Sequence, residues 1–198
     1  MMAAIQSKVG TDLIEDLPIK FTAVAANIAA KKEHWFQSGA IDQAIRASVS
    51  LPLFFTPHNV GGVQLTDGGI LNPTPIEPTL GDDTDLTLAV DLGGSMMKEA
   101  IPEPEKAQSP WQQKMDDFLD SMKSSESKPK DEWDMFYIAD QSFNTMQNAI
   151  ARIRMADNPP DHLISIPRNK CGTLEFDRSA EMIEYGYQLT EKQLSGKI

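Results

Sequence analysis

The chain has 198 residues, 29 acidic and 18 basic, for a formal net charge of −11. Its length suits one domain that buries about 70% of the unfolded chain's surface, and its 40% hydrophobic content exceeds that of a disordered chain. The acidic balance excludes a non-specific nucleic-acid binder and gives no attraction to anionic lipid surfaces, while a lone cysteine, Cys171, excludes an internal disulfide framework and a cysteine-based zinc site. No apolar run is long enough for a transmembrane helix. Met1–Ala4 lead into Gln6, Ser7 and Lys8 with no apolar signal-peptide core, which predicts a cytoplasmic protein.

Ile19–Ile28 reads as a strand buried on both faces, and after a turn at Ala29–Lys32 the segment His34–Phe36 returns as a short partner. Ala40–Val49 is a predicted helix with Ile41, Ala44, Ile45 and Ser48 on one face, ended by Pro52. Val60–Leu65 carries Gly61-Gly62 and reads as a hairpin or a short strand; Asp67-Gly68-Gly69 is a tight turn, and Asn72–Pro78 a proline-punctuated loop. Leu86–Leu92 is a second strand expected to be buried on both faces, stopped by Gly93-Gly94.

The segment 95–130 changes character, with four prolines and a Ser/Lys-rich patch at Ser121–Lys130. Trp111, Met115, Phe118, Leu119 and Met122 recur within it at helical spacing, which suits a linker or a lid-like insertion. Asp131–Ala156 is a predicted long helix, with Phe136, Phe143, Met146, Ile150 and Ile153 as its apolar face. His162–Ile166 is a third short strand, and Asp177 caps a last helix, Arg178 to about Leu194, lined by Met182, Ile183, Tyr185 and Leu189. The expected class is α/β. The expected organisation is 1–94 as an apolar, β-rich portion, 95–130 as linker or lid-like insertion, and 131–198 as a helical and short-strand extension packing on it.

Asp67-Gly68-Gly69 alone suits a turn aspartate as well as a site. Its context is more specific. AIRASVSLPLFFTP (Ala44–Pro57), Gly61-Gly62, LTDGGILNPTPI (Leu65–Ile76) and LAVDLG (Leu88–Gly93) stand in an order and spacing that closely resemble the second half of a patatin-like phospholipase domain. FTAVAANIAAKKEHWFQSGAIDQAIRAS upstream resembles in particular the bacterial members related to neuropathy target esterase. The resemblance is strong over Ile19–Gly93 and looser beyond Ser95.

It implies a three-layer α/β/α domain with a mainly parallel central sheet, and a lipid acyl hydrolase with a Ser-Asp dyad. Asp67 matches the family's catalytic aspartate, and Gly68 and Gly69 complete its D-G-G motif. The residue types suit the chemistry: a serine hydroxyl needs a base within hydrogen-bond reach, and a rigidly held carboxylate can serve. Neither a metal nor an organic cofactor is implied. The partners expected are a lipid or other ester substrate, with no nucleic acid and at most transient contact with a membrane surface.

The chain departs from the pattern in one respect. It contains no G-x-S-x-G nucleophile elbow, and no glycine cluster precedes Gly39. The resemblance therefore places residues 1–94 as the C-terminal part of the catalytic domain, followed by a C-terminal extension. Two readings stay open: a phospholipase, lysophospholipase or esterase of which only the aspartate lies in this chain, or an inactive fragment or binding half of a split protein.

Other residues read structurally. Ser95 follows Gly93-Gly94 but precedes the bulky Met96-Met97, which suits a strand-ending turn better than an elbow. Ser48 and Ser50 suit helix-end hydrogen bonding, and Arg46 suits a pairing with a carboxylate or carbonyl at the core edge. His34, His58 and His162 lack metal-ligand spacing, and Asp82, Asp83 and Asp85 lack the glycine and distal glutamate of a calcium loop.

Overall fold

The computed structural model describes residues 6–7, 9–10, 12–52, 54–95, 135–172 and 175–195. The chain forms two compact units, residues 1–96 with 143–198 and residues 97–142. In the second unit the described residues, 135–142, are helical. The lid-like insertion and the helix expected around Trp111–Met122 lie outside the described residues.

Strand β1 (Ala23–Asn27) pairs antiparallel with β2 (Lys32–Phe36), Ala23 opposite Phe36 and Asn27 opposite Lys32. Asn27 Oδ1 accepts from the Ala30 N–H at 3.0 Å, which tightens the turn between them. The hairpin is the one expected. The strand is shorter than Ile19–Ile28, because Ile19 and Ile28 project into solvent beyond the paired residues. Four of the five β1 residues are buried, as the two-faced reading requires, since β4 covers the other edge.

Helix α1 (Ile41–Ser48) lies against β1 and β4, burying Ile41, Ala44 and Ala47. The helix stops before Pro52: Ser50 donates its hydroxyl to the Arg46 carbonyl at 2.7 Å and its N–H to Ala47. Strands β3 (His58–Val60) and β4 (Val63–Asp67) are joined by Gly61 and Gly62 alone. Both glycines have positive φ, 58° and 86°, the requirement of a two-residue turn that matches strand twist. Their register sets Val60 opposite Val63 and His58 opposite Leu65.

The sheet runs β2-β1-β4-β3 with every pairing antiparallel. Its core is small and alanine-rich: Ala23, Ala25, Ala44 and Ala47 let the helix approach, and Phe36, Ile41 and Leu65 fill the space.

The parallel component of the α/β class is the separate pair β5 (Leu88–Gly94) and β6 (His162–Pro167), with an irregularity between Asp91 and Gly94. Around β1 the expected mainly parallel arrangement gives way to antiparallel pairing, with β2 through a short turn that permits only an antiparallel neighbour and with β4 across a long connection that includes α1. Two expectations for β5 also change. It runs through Gly93-Gly94 instead of stopping there, and it is buried on one face only: Ala89 is 6% exposed, but Leu88, Val90 and Leu92 are 45–67% exposed.

Helix α2 (Met135–Asp157) ends one residue later than expected and buries only part of the expected face, with Phe143 and Ile150 half-buried. Met146 and Ile153 are exposed, whereas Asn144 and Ala151 are buried. Its inward side therefore carries polar groups beside apolar ones, a point with consequences for the site. Helix α3 (Ser179–Leu194) is capped by Arg178 without a side-chain bond, so Asp177 is not its cap; a 3-10 turn at Phe176–Arg178 takes that place. Met182, Tyr185 and Leu189 are half-buried, and Ile183 is exposed. No helix among the described residues is long and apolar enough to cross a membrane.

Leu65 is fully buried at the centre of this core. Leu65→Ala is expected to lower the unfolding free energy by about 2–5 kcal/mol, read as a drop in the urea midpoint. An unchanged midpoint would place the core elsewhere.

Candidate active site around Asp67

Asp67 is the last residue of β4, opposite Ala25 in the central strand. Its own N–H is held by the Ser50 carbonyl at 2.9 Å. The chain then turns at once into a 3-10 helix, Gly68–Ile70, which Asp67 caps: its Oδ1 accepts from the Gly69 N–H at 2.6 Å. Two glycines are needed here. A Cβ on Gly68 would stand 2.3 Å from the Val24 carbonyl oxygen, and one on Gly69 would crowd both Gln147 Nε2 and Asp67 Oδ1. Neither glycine has positive φ, so the need is for space and not for a special backbone angle.

Burial pushes the Asp67 carboxyl above the usual aspartate range, and the single Gly69 N–H opposes this without reversing it. The carboxylate opens on a cavity of about 460 Å³. Phe21, Ile45 and Val49 form an apolar part of its lining, and Asp91, Asn148 and Arg168 a polar part. Such a chamber can hold an amphiphile beside a weakly solvated base.

Helix α2 braces the turn. Gln147 donates Nε2 to the Gly69 carbonyl at 3.0 Å. Two turns further along, Arg154 bridges two carboxylates, Glu33 at 2.5 Å and Glu77 at 2.8 Å. Asn72 ties the same pair from below, donating to Glu77 at 2.9 Å and Glu33 at 3.2 Å. Its own Oδ1 is buried without a partner among the described residues, a cost of about 1–3 kcal/mol that the amide's two charged acceptors offset. The loop after Asp67 is thus pinned at its start by Gln147 and at its far end by Arg154.

Asp67, Gly68 and Gly69 meet at one cavity. The bracing residues Glu33, Asn72, Glu77, Gln147 and Arg154 escape a reading by apolar periodicity. The available signal was polar: Asn144, Gln147, Ala151 and Arg154 share one helix face at i, i+3, i+7 and i+10.

Among the other candidates, Ser50 is fully buried against Arg46, which also donates to the Thr56 carbonyl at 3.1 Å. Both have the helix-end and core-edge roles expected of them. Ser48 lines the Asp67 cavity. Ser95 is exposed just beyond β5. His58 bonds Gln43 at 2.7 Å, and burial together with the Arg46 charge lowers its pKa. His34 packs on the edge of Phe36, and Asp82 pairs with Lys20. Among the described residues no group of three or more His, Cys, Asp or Glu is placed to hold a metal.

The brace carries a pH signature. Burial alone would raise the Glu77 pKa, but the Arg154 and Asn72 hydrogen bonds outweigh it and hold it below the ordinary value. A lowered carboxylate contributes stability above its unfolded pKa of about 4.3 and loses it as pH falls through the folded value. Arg154→Ala should therefore cost about 1–3 kcal/mol at pH 7, with the gap to wild type narrowing below about pH 4. Thermal melts across that range measure it.

Residues 4–80 match the family profile described as patatin-like phospholipase. An NTE family protein of Mycobacterium bovis is 32% identical over 98% of this chain and 68% of its own length. A counterpart in Mycobacterium tuberculosis has the same figures. A lysophospholipase of Pyricularia oryzae is 25% identical over 90% of this chain and 11% of its own length. The match of nearly the whole chain to the mycobacterial relatives and the profile match through the D-G-G turn establish that the chain belongs to the patatin-like, NTE-type family.

Proposed function

We propose that the protein acts as a lipid ester hydrolase on phospholipids or lysophospholipids, with Asp67 as general base of a Ser-Asp dyad. The observation that carries this reading is the Asp67 carboxylate itself. It is largely desolvated, braced on both sides of its turn and open to a partly apolar cavity. A base with a raised pKa takes a proton more readily than an ordinary aspartate, and its rigid seat avoids reorganisation during the reaction.

In this reading a serine Oγ attacks the ester carbonyl while Asp67 accepts its proton. The tetrahedral adduct collapses and expels the alcohol, which takes that proton. Water then attacks the acyl-serine, giving its proton to Asp67, and the serine oxygen leaves reprotonated as the fatty acid departs. The serine belongs to the family's G-x-S-x-G elbow, a motif absent from these 198 residues. That absence favours a second reading, in which this chain alone is a binding half without turnover.

An esterase assay with a p-nitrophenyl acyl ester separates the two. It compares the chain as given with a form extended by the in-frame sequence encoded upstream of Met1. Hydrolysis by the extended form supports the first reading, and inactivity of both supports the second. In the active form Asp67→Asn is expected to lower kcat by about 10²–10⁴-fold. Folding stability at neutral pH should be kept, because burial already disfavours the charge that the substitution removes. Full activity of Asp67→Asn would remove it from the mechanism.

A further inference from the structure

Beyond Asp67, the lining of the cavity includes a cationic residue, Arg168, that has no partner among the described residues. Arg168 follows β6 directly and opens the 3-10 turn Arg168–Lys170. Because β5 and β6 are parallel, with Gly94 beside Pro167, their carboxyl ends reach the cavity together. Ligands of α/β folds gather at that end of parallel strands, where the chain leaves the sheet and its side chains are free to point outward.

Arg168 is half-buried and has no hydrogen-bond or ion-pair partner among the described residues. Its counterparts are occupied. Arg46 is held by Ser50 and the Thr56 carbonyl, Arg154 by Glu33 and Glu77, and Arg178 by Glu175 and Glu181. Even the neighbouring Lys170 pairs with Glu181. Arg152 is exposed and lines an adjoining cavity of about 340 Å³ that shares Asp91, Gly93 and Asn148 with the first. In a chain with 29 acidic and 18 basic residues, carboxylates for a half-buried guanidinium are plentiful. The cavity's own acids are engaged elsewhere: Asp67 accepts from Gly69, and Asp91 accepts from Gly93 at 3.0 Å and Ser165 at 3.5 Å.

We infer that Arg168 is the anion-recognising residue of the Asp67 cavity, taking the phosphate of an amphiphile whose acyl chain lies on the Phe21, Ile45 and Val49 side. This rests on the hydrolase reading for its substrate, but not for the binding itself. The planar guanidinium offers two parallel N–H donors that match phosphate oxygens, and the cavity limits competition from water. Arg168 thereby determines specificity: it separates phosphate-bearing lipids from neutral esters of the same chain length. The same chemistry suits free phosphate, so the test distinguishes the two sources.

Calorimetric titrations of the chain as given would use dodecylphosphocholine, dodecyl maltoside and inorganic phosphate, the detergents below their micelle concentrations. Dodecylphosphocholine is expected to bind, and Arg168→Gln to weaken it roughly tenfold or more. Arg168→Lys should fall between, since it keeps the charge and loses the fork. Maltoside binding should not change in either variant. Inorganic phosphate should bind more weakly than dodecylphosphocholine; equal affinity for both, lost together in Arg168→Gln, keeps the anion site and transfers it to free phosphate. Equal binding of dodecylphosphocholine by wild type and Arg168→Gln overturns the inference, as does its failure to bind wild type. No turnover is needed, so a negative esterase assay leaves this result standing, and a negative titration leaves the hydrolase reading standing.

Discussion

The site depends on one close approach, that of the Gly68 backbone to the carbonyl of Val24. No side chain fits between them, because a Cβ there would stand 2.3 Å from the Val24 oxygen. The chain leaving β4 can therefore lie directly on the central strand and turn without a spacer. Asp67 sits on the last residue before that contact and inherits its rigidity. Its carboxylate is fixed by strand pairing on one side and by the capped 3-10 turn on the other. A strand end buried in this way converts an ordinary Asp-Gly turn into a seat for a partly desolvated carboxylate.

Such a seat holds only if the following loop cannot swing. Helix α2, far along the chain, provides the restraint through one neutral hydrogen bond and one bridged ion pair. The arginine is about one-third exposed, and its carboxylates less so. The network is therefore neither a screened surface pair nor a fully desolvated one, and its value lies as much in geometry as in energy. It also explains why α2 turns a polar face inward and leaves Met146 and Ile153 in solvent.

Local chemistry was legible wherever it is decided within a few residues. The Gly61-Gly62 hairpin, the β1–β2 hairpin and helix α1 all follow from turn residues and short-range periodicity. Asp67, Gly68 and Gly69 were legible as a motif. Elements whose burial depends on distant partners were misread. Leu88, Val90 and Leu92 are apolar enough for a two-faced strand, yet β5 has β6 on one edge and a covered face on one side only. The apolar stripe of α2 is half-buried at Phe143 and Ile150 and exposed at Met146 and Ile153, because part of its inward side is taken by the amide and charged groups of Asn144, Gln147 and Arg154. Asp177 looked like a cap because residue type alone cannot show that a 3-10 turn precedes the helix.

By itself the sequence determined the α/β class, the hairpins, the D-G-G turn and the family resemblance, since each rests on residue order and on backbone preferences that act locally. Tertiary structure alone decided that Val24 excludes a side chain at Gly68, that Gln147 and Arg154 brace the loop from 78 and 77 positions beyond their partners Gly69 and Glu77, and that Arg168 lines the Asp67 cavity without a carboxylate partner among the described residues. These are properties of distance in space, and burial and charge pairing depend on which distant groups the fold brings within a few ångströms.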